Sequence, residues 1–219
     1  MKTAKNERQS NGGSKTASDR GSRRVSVERN TSESRIKIAL ALDGTGRRRI
    51  KTPIPFLDHM LDLLAKHAFL DLKIDAAGDT HIDDHHTVED IGIVLGRTLS
   101  QALGAKQSIA RFGYAYAPMD EALARAVIDI SGRPFVDYQA PSLSPTLGGE
   151  RIFHTDLIEE FWRAVVANAA ITLHLDLLRG RNAHHSIEAM FKAFALAWYQ
   201  ATRPTGQPGS VPSTKGVIE

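Results

Sequence analysis

Apolar and polar residues alternate through Ile36, Ile38, Leu40 and Leu42 until Asp43-Gly44-Thr45-Gly46 breaks the run. A period of two marks a half-buried strand, so this segment predicts a strand entering a loop. Between Phe56 and His67 the apolar positions fall at 56, 57, 60, 61 and 64, the spacing of one helix face. Leu72 to Ile74 predicts a short strand, and Thr87 to Leu103 returns to the helical period. Ala122 to Ile130 is apolar, reads as a strand and ends at Ser131-Gly132-Arg133-Pro134. Asp156 to Asn168 predicts a helix, Ile171 to Leu178 a strand, and Ile187 to Ala201 a helix closed by Arg203-Pro204. Gly206 to Glu219 carries Pro and Gly and reads as a tail.

The two parts of the chain repeat one another. Phe56-Leu57-Asp58-His59-Met60-Leu61 lies over Leu157-Ile158-Glu159-Glu160-Phe161-Trp162 at an offset of 101, and Leu72 and Ile74 meet Leu173 and Leu175 at the same offset. With a two-residue gap, His85-His86-Thr87-Val88-Glu89 falls on His184-His185-Ser186-Ile187-Glu188. Each part runs strand, helix, strand, then HHxxE opening a helix, and internal duplication explains that order. Two αβ halves packed helix layer on helix layer would share one continuous core.

Charge changes this picture only at the N-terminus. Residues 1–29 hold eight Lys/Arg and three acids, a net of +5, which leaves 20 bases against 22 acids, or −2, for the rest of a chain whose total is +3. The basic character therefore belongs to a segment rich in Ser, Asn, Gly and Arg, too poor in apolar residues to offset its ordering entropy. It is expected to be disordered; a remnant targeting peptide is the rival reading. A nucleic-acid partner would need its basic residues on a folded face, and the body has no such excess. There is no Cys, so disulfides and thiolate metal sites are excluded. No apolar run approaches the ~20 residues of a membrane span, and no secretory h-region follows Met1, so a cytoplasmic protein is expected. The organisation read from the sequence is a disordered basic tail 1–29, a first αβ half 30–117, a second 118–205, and a C-terminal tail 206–219.

The repeated HHxxE carries the chemistry. On a helix each residue turns by ~100°, so the first His and the Glu lie ~40° apart and the second His and the Glu ~60°. Adjacent His residues differ by ~100° and can serve two different ions, with the Glu able to join either. Imidazole with carboxylate suits manganese, iron, zinc or nickel and argues against calcium and magnesium. A single His pair is usually surface or core decoration; two copies at matching places in a duplicated chain read as metal ligands. His59 falls opposite Glu160 in the repeat, so these are candidate ligands too. Asp83 and Asp84 stand where a helix N-cap belongs, and Asp90 reads as a first-turn acid favoured by the helix dipole. His174 alternates with two Leu in a strand and reads as structural, while His67, His81 and His154 have no clear assignment from spacing.

Several motifs together resemble one family. Phe56-Leu57-Asp58-His59-Met60-Leu61, His81-Ile82-Asp83-Asp84-His85-His86-Thr87-Val88-Glu89-Asp90, Asp129-Ile130-Ser131-Gly132-Arg133-Pro134, Asn182-Ala183-His184-His185-Ser186-Ile187-Glu188-Ala189 and Pro212-Ser213-Thr214-Lys215-Gly216 resemble imidazoleglycerol-phosphate dehydratase, in the same order, from about Asn30 to Val217. The resemblance implies an α+β fold: a duplicated half-domain, each half a four-stranded sheet with helices on one face, the helix layers packed together. It implies a homo-oligomer of 24 subunits with shared sites, and two Mn2+ per site. Carried over, one ion takes His85, His184, Glu188 and the residue at 160; the other takes His59, His86, Glu89 and His185. Position 160 is His in many members and Glu here, which implies a retuned site. Leu63 stands where Gln is common, and Pro53 where Gly is usual.

For the substrate, the resemblance implies contacts from Glu33, His59, His67, His86, Arg111, Arg133, Lys192, Ser213, Thr214 and Lys215, the cations among them gripping phosphate. It implies catalytic roles for Glu33, His85, Glu89, His184 and Glu188, and a C-terminal tail that orders on folding over the site. The implied activity is a hydro-lyase of histidine biosynthesis converting D-erythro-imidazole glycerol phosphate to imidazole acetol phosphate. Two metals would favour the substrate imidazolate, whose ring expels the adjacent hydroxyl, and Glu33 would then take the acidified C–H proton. On sequence alone Glu33 is an ordinary surface acid before a strand. Two other readings use the same residues: a binuclear metallohydrolase of a phosphate ester, and a non-catalytic metal-binding assembly protein.

Overall fold

The computed structural model describes residues 23–148 and 152–218. Two four-stranded sheets flank a layer of four helices. The first sheet contains β1 (Arg24–Asn30), β2 (Ser34–Ala41), β3 (Arg48–Lys51) and β4 (Asp71–Gly78), in the order β1-β2-β4-β3. The second contains β5 (Phe112–Met119), β6 (Ala122–Asp129), β7 (Phe135–Gln139) and β10 (Thr172–Arg179), in the order β5-β6-β10-β7. The edge strands β3 and β7 run parallel to their neighbours, and the other pairings are antiparallel. The same order and the same mixed pairing in each half are what an internal duplication leaves. A two-stranded hairpin, β8 (Thr146–Leu147) with β9 (Phe153–His154), is an addition to the second half.

The helices are α1 (Pro55–His67), α2 (His85–Leu103), α3 (Asp156–Ala169) and α4 (Ala183–Thr202). Strand alternation turns Ile36, Ile38 and Leu40 of β2 inward and leaves Arg35 and Lys37 outside. On α1, Leu57, Met60, Leu61 and Leu64 form the buried stripe that the sequence spacing gives. The helices cross between halves: α2 packs on α3 and α1 on α4, while α2 also covers the first sheet and α4 the second. Phe161 and Trp162 of α3 interleave with Phe191 and Phe194 of α4 in the fully buried centre. The backbone repeats as well. Phe69 and Ala170, 101 residues apart, both take the left-handed conformation that ends α1 and α3.

Two expected boundaries are corrected. Residues 24–29, placed in the disordered tail, form most of β1, which pairs with β2 along its whole length. Alternation of Val25 and Val27 against polar neighbours was enough for an edge strand once Ile38 and Leu40 lay beside it. Residues 1–22 lie outside the described residues. The boundary expected at 117/118 falls inside β5, which belongs entirely to the second sheet, so the halves divide before Phe112. Asp90 is also corrected. It lies past the first turn of α2, buried, accepting from Arg29 and Ser34, and so ties that helix to β1 and β2.

Candidate metal centre and phosphate cleft

Both HHxxE motifs stand at helix starts that rest on a strand end. Gly78 closes β4, and a β-carbon there would meet Thr87 Oγ1 at 2.0 Å; Gly180 follows β10, and a β-carbon there would meet Ser186 Oγ at 2.2 Å. The absent side chains let each helix start sit directly on its sheet. Capping then fixes the first turns. Asn182 Oδ1 accepts from the backbone N–H of His184 and His185, and Asp83 Oδ1 accepts from that of His85, the capping role expected of this Asp. Within each pair the two rings are nearly perpendicular, 83° for His85–His86 and 87° for His184–His185, so neighbours face different directions as the helical geometry required.

Because α1 packs on α4, His59 is brought to the second motif. His59, His184 and Glu188 each place one donor atom within 4.8 Å of the other two. His59 Nε2 and His184 Nε2 lie 3.5 and 3.4 Å from Glu188 Oε2. Donors ~2.1 Å from one ion stand roughly 3–3.5 Å from one another, so this group matches a shared cation. Glu188 is buried, which works against its charge, but Lys192 Nζ, donating to its Oε1 at 2.6 Å, together with His59 and His184 outweighs that and holds the carboxyl below its ordinary range. Lys192, expected at phosphate, is thus at the metal group, with Nζ also 3.4 Å from Met119 Sδ.

On the other side, α2 packs on α3. His85 lines a cleft of about 470 Å3 with Asp83, Asp84, His154 and the first residues of α3, Asp156 and Leu157, with Glu160 one turn further along that helix. Glu89, on the next turn of α2, is half-buried like Glu160. The expected division of ligands between ions is therefore corrected for His59, which sits with His184 and Glu188, while His85, expected on the ion of residue 160, faces the helix of Glu160 and stands apart from that group. The cause is the exchange of helix partners between halves, which sequence spacing does not reveal.

His86 and His185 are held differently. His86 Nδ1 lies 3.0 Å from Asp79 Oδ2, and His185 Nδ1 lies 2.8 Å from Glu121 Oε2. These bonds raise both imidazole pKa values, and the His185 contact lowers the Glu121 carboxyl to about 2. Neither Asp79 nor Glu121 was foreseen. Asp79, seven residues before His86, could have been flagged; Glu121 becomes visible only when the β5–β6 turn is seen beside α4. Glu33 lies exposed between β1 and β2, its charge acting on His86 and its carbonyl accepting from Asp79 N–H. His67 is half-buried near the end of α1. Burial lowers its pKa, with Lys192 reinforcing the effect.

The expected phosphate residues converge, Lys192 excepted. Arg111, Ser131, Arg133, Ser213, Thr214 and Lys215 line a cleft of about 520 Å3. Arg111 donates to both carboxylate oxygens of Asp129 and to the Pro212 carbonyl at 2.7 Å, which anchors the tail. Thr205 and Gly209 N–H donate to Ser108, whose own N–H donates to the Ser210 carbonyl. This cleft stands where β6 ends at Asp129, whereas His185 stands beside Glu121, just before β6 begins. Eight strand steps separate Glu121 from Asp129, about 26 Å.

The chain is similar to known proteins along most of its length. The family model described as imidazoleglycerol-phosphate dehydratase matches residues 52–198. The imidazoleglycerol-phosphate dehydratase of Ralstonia pickettii is 52% identical over 198 residues, covering 90% of this chain and all of that one. That of Pseudomonas putida is 51% identical over 197 residues, 90% of this chain and 98% of its own. Among solved structures, the enzyme from Staphylococcus aureus is 46% identical with a TM-score of 0.73, covering 82% of this chain and 98% of that one. The one from Pyrococcus furiosus, in complex with (S)-C348, is 35% identical with a TM-score of 0.74, covering 88% and 100%.

Proposed function

We infer, from the premise that this chain belongs to the imidazoleglycerol-phosphate dehydratase family, how its own side chains carry that reaction. It is a hydro-lyase of histidine biosynthesis, dehydrating D-erythro-imidazole glycerol phosphate to imidazole acetol phosphate. The family is metal-dependent, and the observation that carries the reading is the convergence of His59, His184 and Glu188. One ion would be held by these three with His86, the other by His85, Glu89, Glu160 and His185. Within the chain His86 and His185 stand apart from those groups, so each would come from a neighbouring subunit.

The separation of about 26 Å along β6 between the phosphate cleft and the second His pair supports the same conclusion. A substrate with three carbons between ring and phosphate spans no such distance. A homo-oligomer in which one subunit's cleft faces another's metal residues would close the gap, and 24 subunits with shared sites is the assembly we propose. Exposed Phe112, Tyr114, Tyr116 and Phe135 on the outer face of the second sheet favour self-association. Among the described residues no helix is long and apolar enough to cross a membrane, and we assign the enzyme to the cytoplasm.

Two Mn2+ bound in these sets would supply Lewis acidity to the two nitrogens of the substrate ring. The remaining steps belong to the chain. Arg133, Ser213, Thr214 and Lys215 bind the phosphate, and Arg111, neutralised by Asp129, holds the tail that brings three of them there. Glu33, solvent-facing and in no ion pair with Lys or Arg among the described residues, takes the carbon-bound proton once the hydroxyl leaves. The test is to strip the protein of metal, reload it with Mn2+, supply the substrate and look for the acetol phosphate. No turnover at two bound Mn2+ per subunit refutes the reading, and release of inorganic phosphate would put a metallohydrolase in its place.

A further inference from the structure

We propose that Asp79 and Glu121 are positioning residues with unequal consequences: Asp79 holds His86 and so leaves Glu33 free for proton transfer, whereas Glu121, the counterpart of Glu33, is itself committed to holding His185. The inference rests on the proposed metal set, because it concerns the aim of two of its imidazoles.

The sheet registers establish the correspondence. Ala41 pairs with Asp71, and Asp129 pairs with Thr172. Asp71 and Thr172 are 101 residues apart, so β2 maps on β6 with an offset of 88 (129 − 41). The edge strands agree: Arg24 pairs with Ala41 and Phe112 with Asp129, again 88 apart. Glu33 therefore maps on Glu121. The register shift between Leu177 and Arg179 adds one residue to β10, so Gly78 falls on Gly180 and Asp79, one residue past β4, maps at offset 102 on Arg181, whose guanidinium can donate but not accept.

A carboxylate can only accept, so each ring must present its Nδ1–H to the acid and turn its Nε2 lone pair outward. That is the tautomer a ligand needs, and metal-bound histidines usually have such a partner. In the second half the acid within hydrogen-bond reach is Glu121, bound to His185 at 2.8 Å while its Oε1 also accepts from Arg181 and Asn182 N–H; Asp120 Oδ2 stands 4.0 Å from the same nitrogen, too far to orient it. In the first half Asp79 supplies the bond at 3.0 Å, and Glu33 makes no side-chain hydrogen bond to His86. One duplicated glutamate thus became a support and the other was released, because position 79 holds a carboxylate where its counterpart, position 181, holds an arginine.

The experiment measures Mn2+ affinity of the assembled, metal-stripped protein from the loss of the free-Mn2+ paramagnetic resonance signal, with turnover measured alongside. In Glu121→Gln the amide oxygen can keep both backbone bonds, but its NH2 would face Nδ1 and favour the proton on Nε2. We expect affinity at one ion per subunit to fall about 10–100-fold with fewer 14N couplings on the bound Mn2+. A role confined to bracing the start of α4 predicts no change, and that result overturns the proposal. In the first half Glu33→Gln alone should leave affinity as in the parent, Asp79→Ala should lower it less than 10-fold with Glu33 substituting as support, and the double variant should lose about 10–100-fold. Equal affinity for Asp79→Ala and the double variant overturns the assigned division of roles. A parent that binds no Mn2+ at all would instead defeat the function proposed above.

Discussion

Replacing Gly96 by alanine loads the crossing of α2 on α3, which sets where Glu160 lies relative to His85 and Glu89. A β-carbon at 96 would stand 2.5 Å from the Val165 carbonyl oxygen, 2.8 Å from Asn168 Cβ and 3.0 Å from Ala169 N. Ordinary contact begins at 3.4 Å, so the carbonyl must retreat by 0.9 Å (3.4 − 2.5), and being helix backbone it cannot do so alone. Alanine gains about 0.8–1.0 kcal/mol in helix propensity over glycine. Overpacking of this kind costs about 1–3 kcal/mol, and three simultaneous contacts with α3 place Gly96 in the upper half of that range. The expected net loss is about 1–2 kcal/mol, or a thermal midpoint lower by roughly 2–8 °C for a domain of this size. The assay is calorimetry at fixed protein concentration on metal-stripped protein, so that bound ions add nothing to the midpoint. Gly206→Ala is the control, since nothing lies within 4 Å of a β-carbon there. The same displacement widens the gap to Glu160, so Gly96→Ala should bind the ion of that side less tightly. A midpoint equal to or above the parent's would mean that helix propensity alone decides and that the close crossing does not exist.

Three further outcomes follow from named contacts. The Arg47 guanidinium, with the N–H groups of Thr45 and Arg47, holds the Asp71 carboxyl well below the usual carboxylate range. Its stabilisation is present above the unfolded value near ~3.9 and is lost as pH falls through the folded one, so Asp71→Asn should flatten the thermal midpoint against pH below about 4. An unchanged acid limb would refute it. Truncation after Thr205 removes Ser213, Thr214 and Lys215 from the cleft; KM for the substrate should rise at least tenfold while Mn2+ content stays at the parent value, and a fall in metal content would show that the tail does something else. Glu160→His exchanges an oxygen donor for a nitrogen one and should shift competition at that ion from Mn2+ toward Zn2+ or Ni2+, read by metal analysis after equilibration with mixed ions.

Much of the fold was legible because the helices and the central strands carry their periods in the sequence. Leu57, Met60, Leu61 and Leu64 bury one stripe, and β2 alternates cleanly between Ile and basic residues. The edge strands were not legible. In β3, Arg48, Arg49 and Lys51 surround a single Ile50, and in β5 exposed Phe112, Tyr114 and Tyr116 mask the alternation. Such strands form because a neighbour offers its ladder, which is a tertiary fact. The candidate site divided in the same way. The duplicated HHxxE and the pair at 59 and 160 could be named from repetition, and the phosphate residues of the tail only from the family resemblance. Which ligand joins which ion could not, since helical spacing fixes directions on one helix and says nothing of the helix packed against it.

That packing also explains the chemistry of the two proposed sets. Exchange of partners between halves sends position 59 to the second HHxxE and position 160 to the first. One set then holds three imidazoles and one carboxylate, and the other two imidazoles and two carboxylates. The second carries one more negative charge and one more hard oxygen donor. Nitrogen-rich sets favour zinc, nickel and copper in the order of intrinsic affinity, and added carboxylate moves preference toward harder ions. A carboxylate at 160 would therefore work against the tighter-binding competitors at one of the two proposed ions, and in the proposed reaction, which needs both ions on one substrate, selectivity at either would be selectivity for the pair.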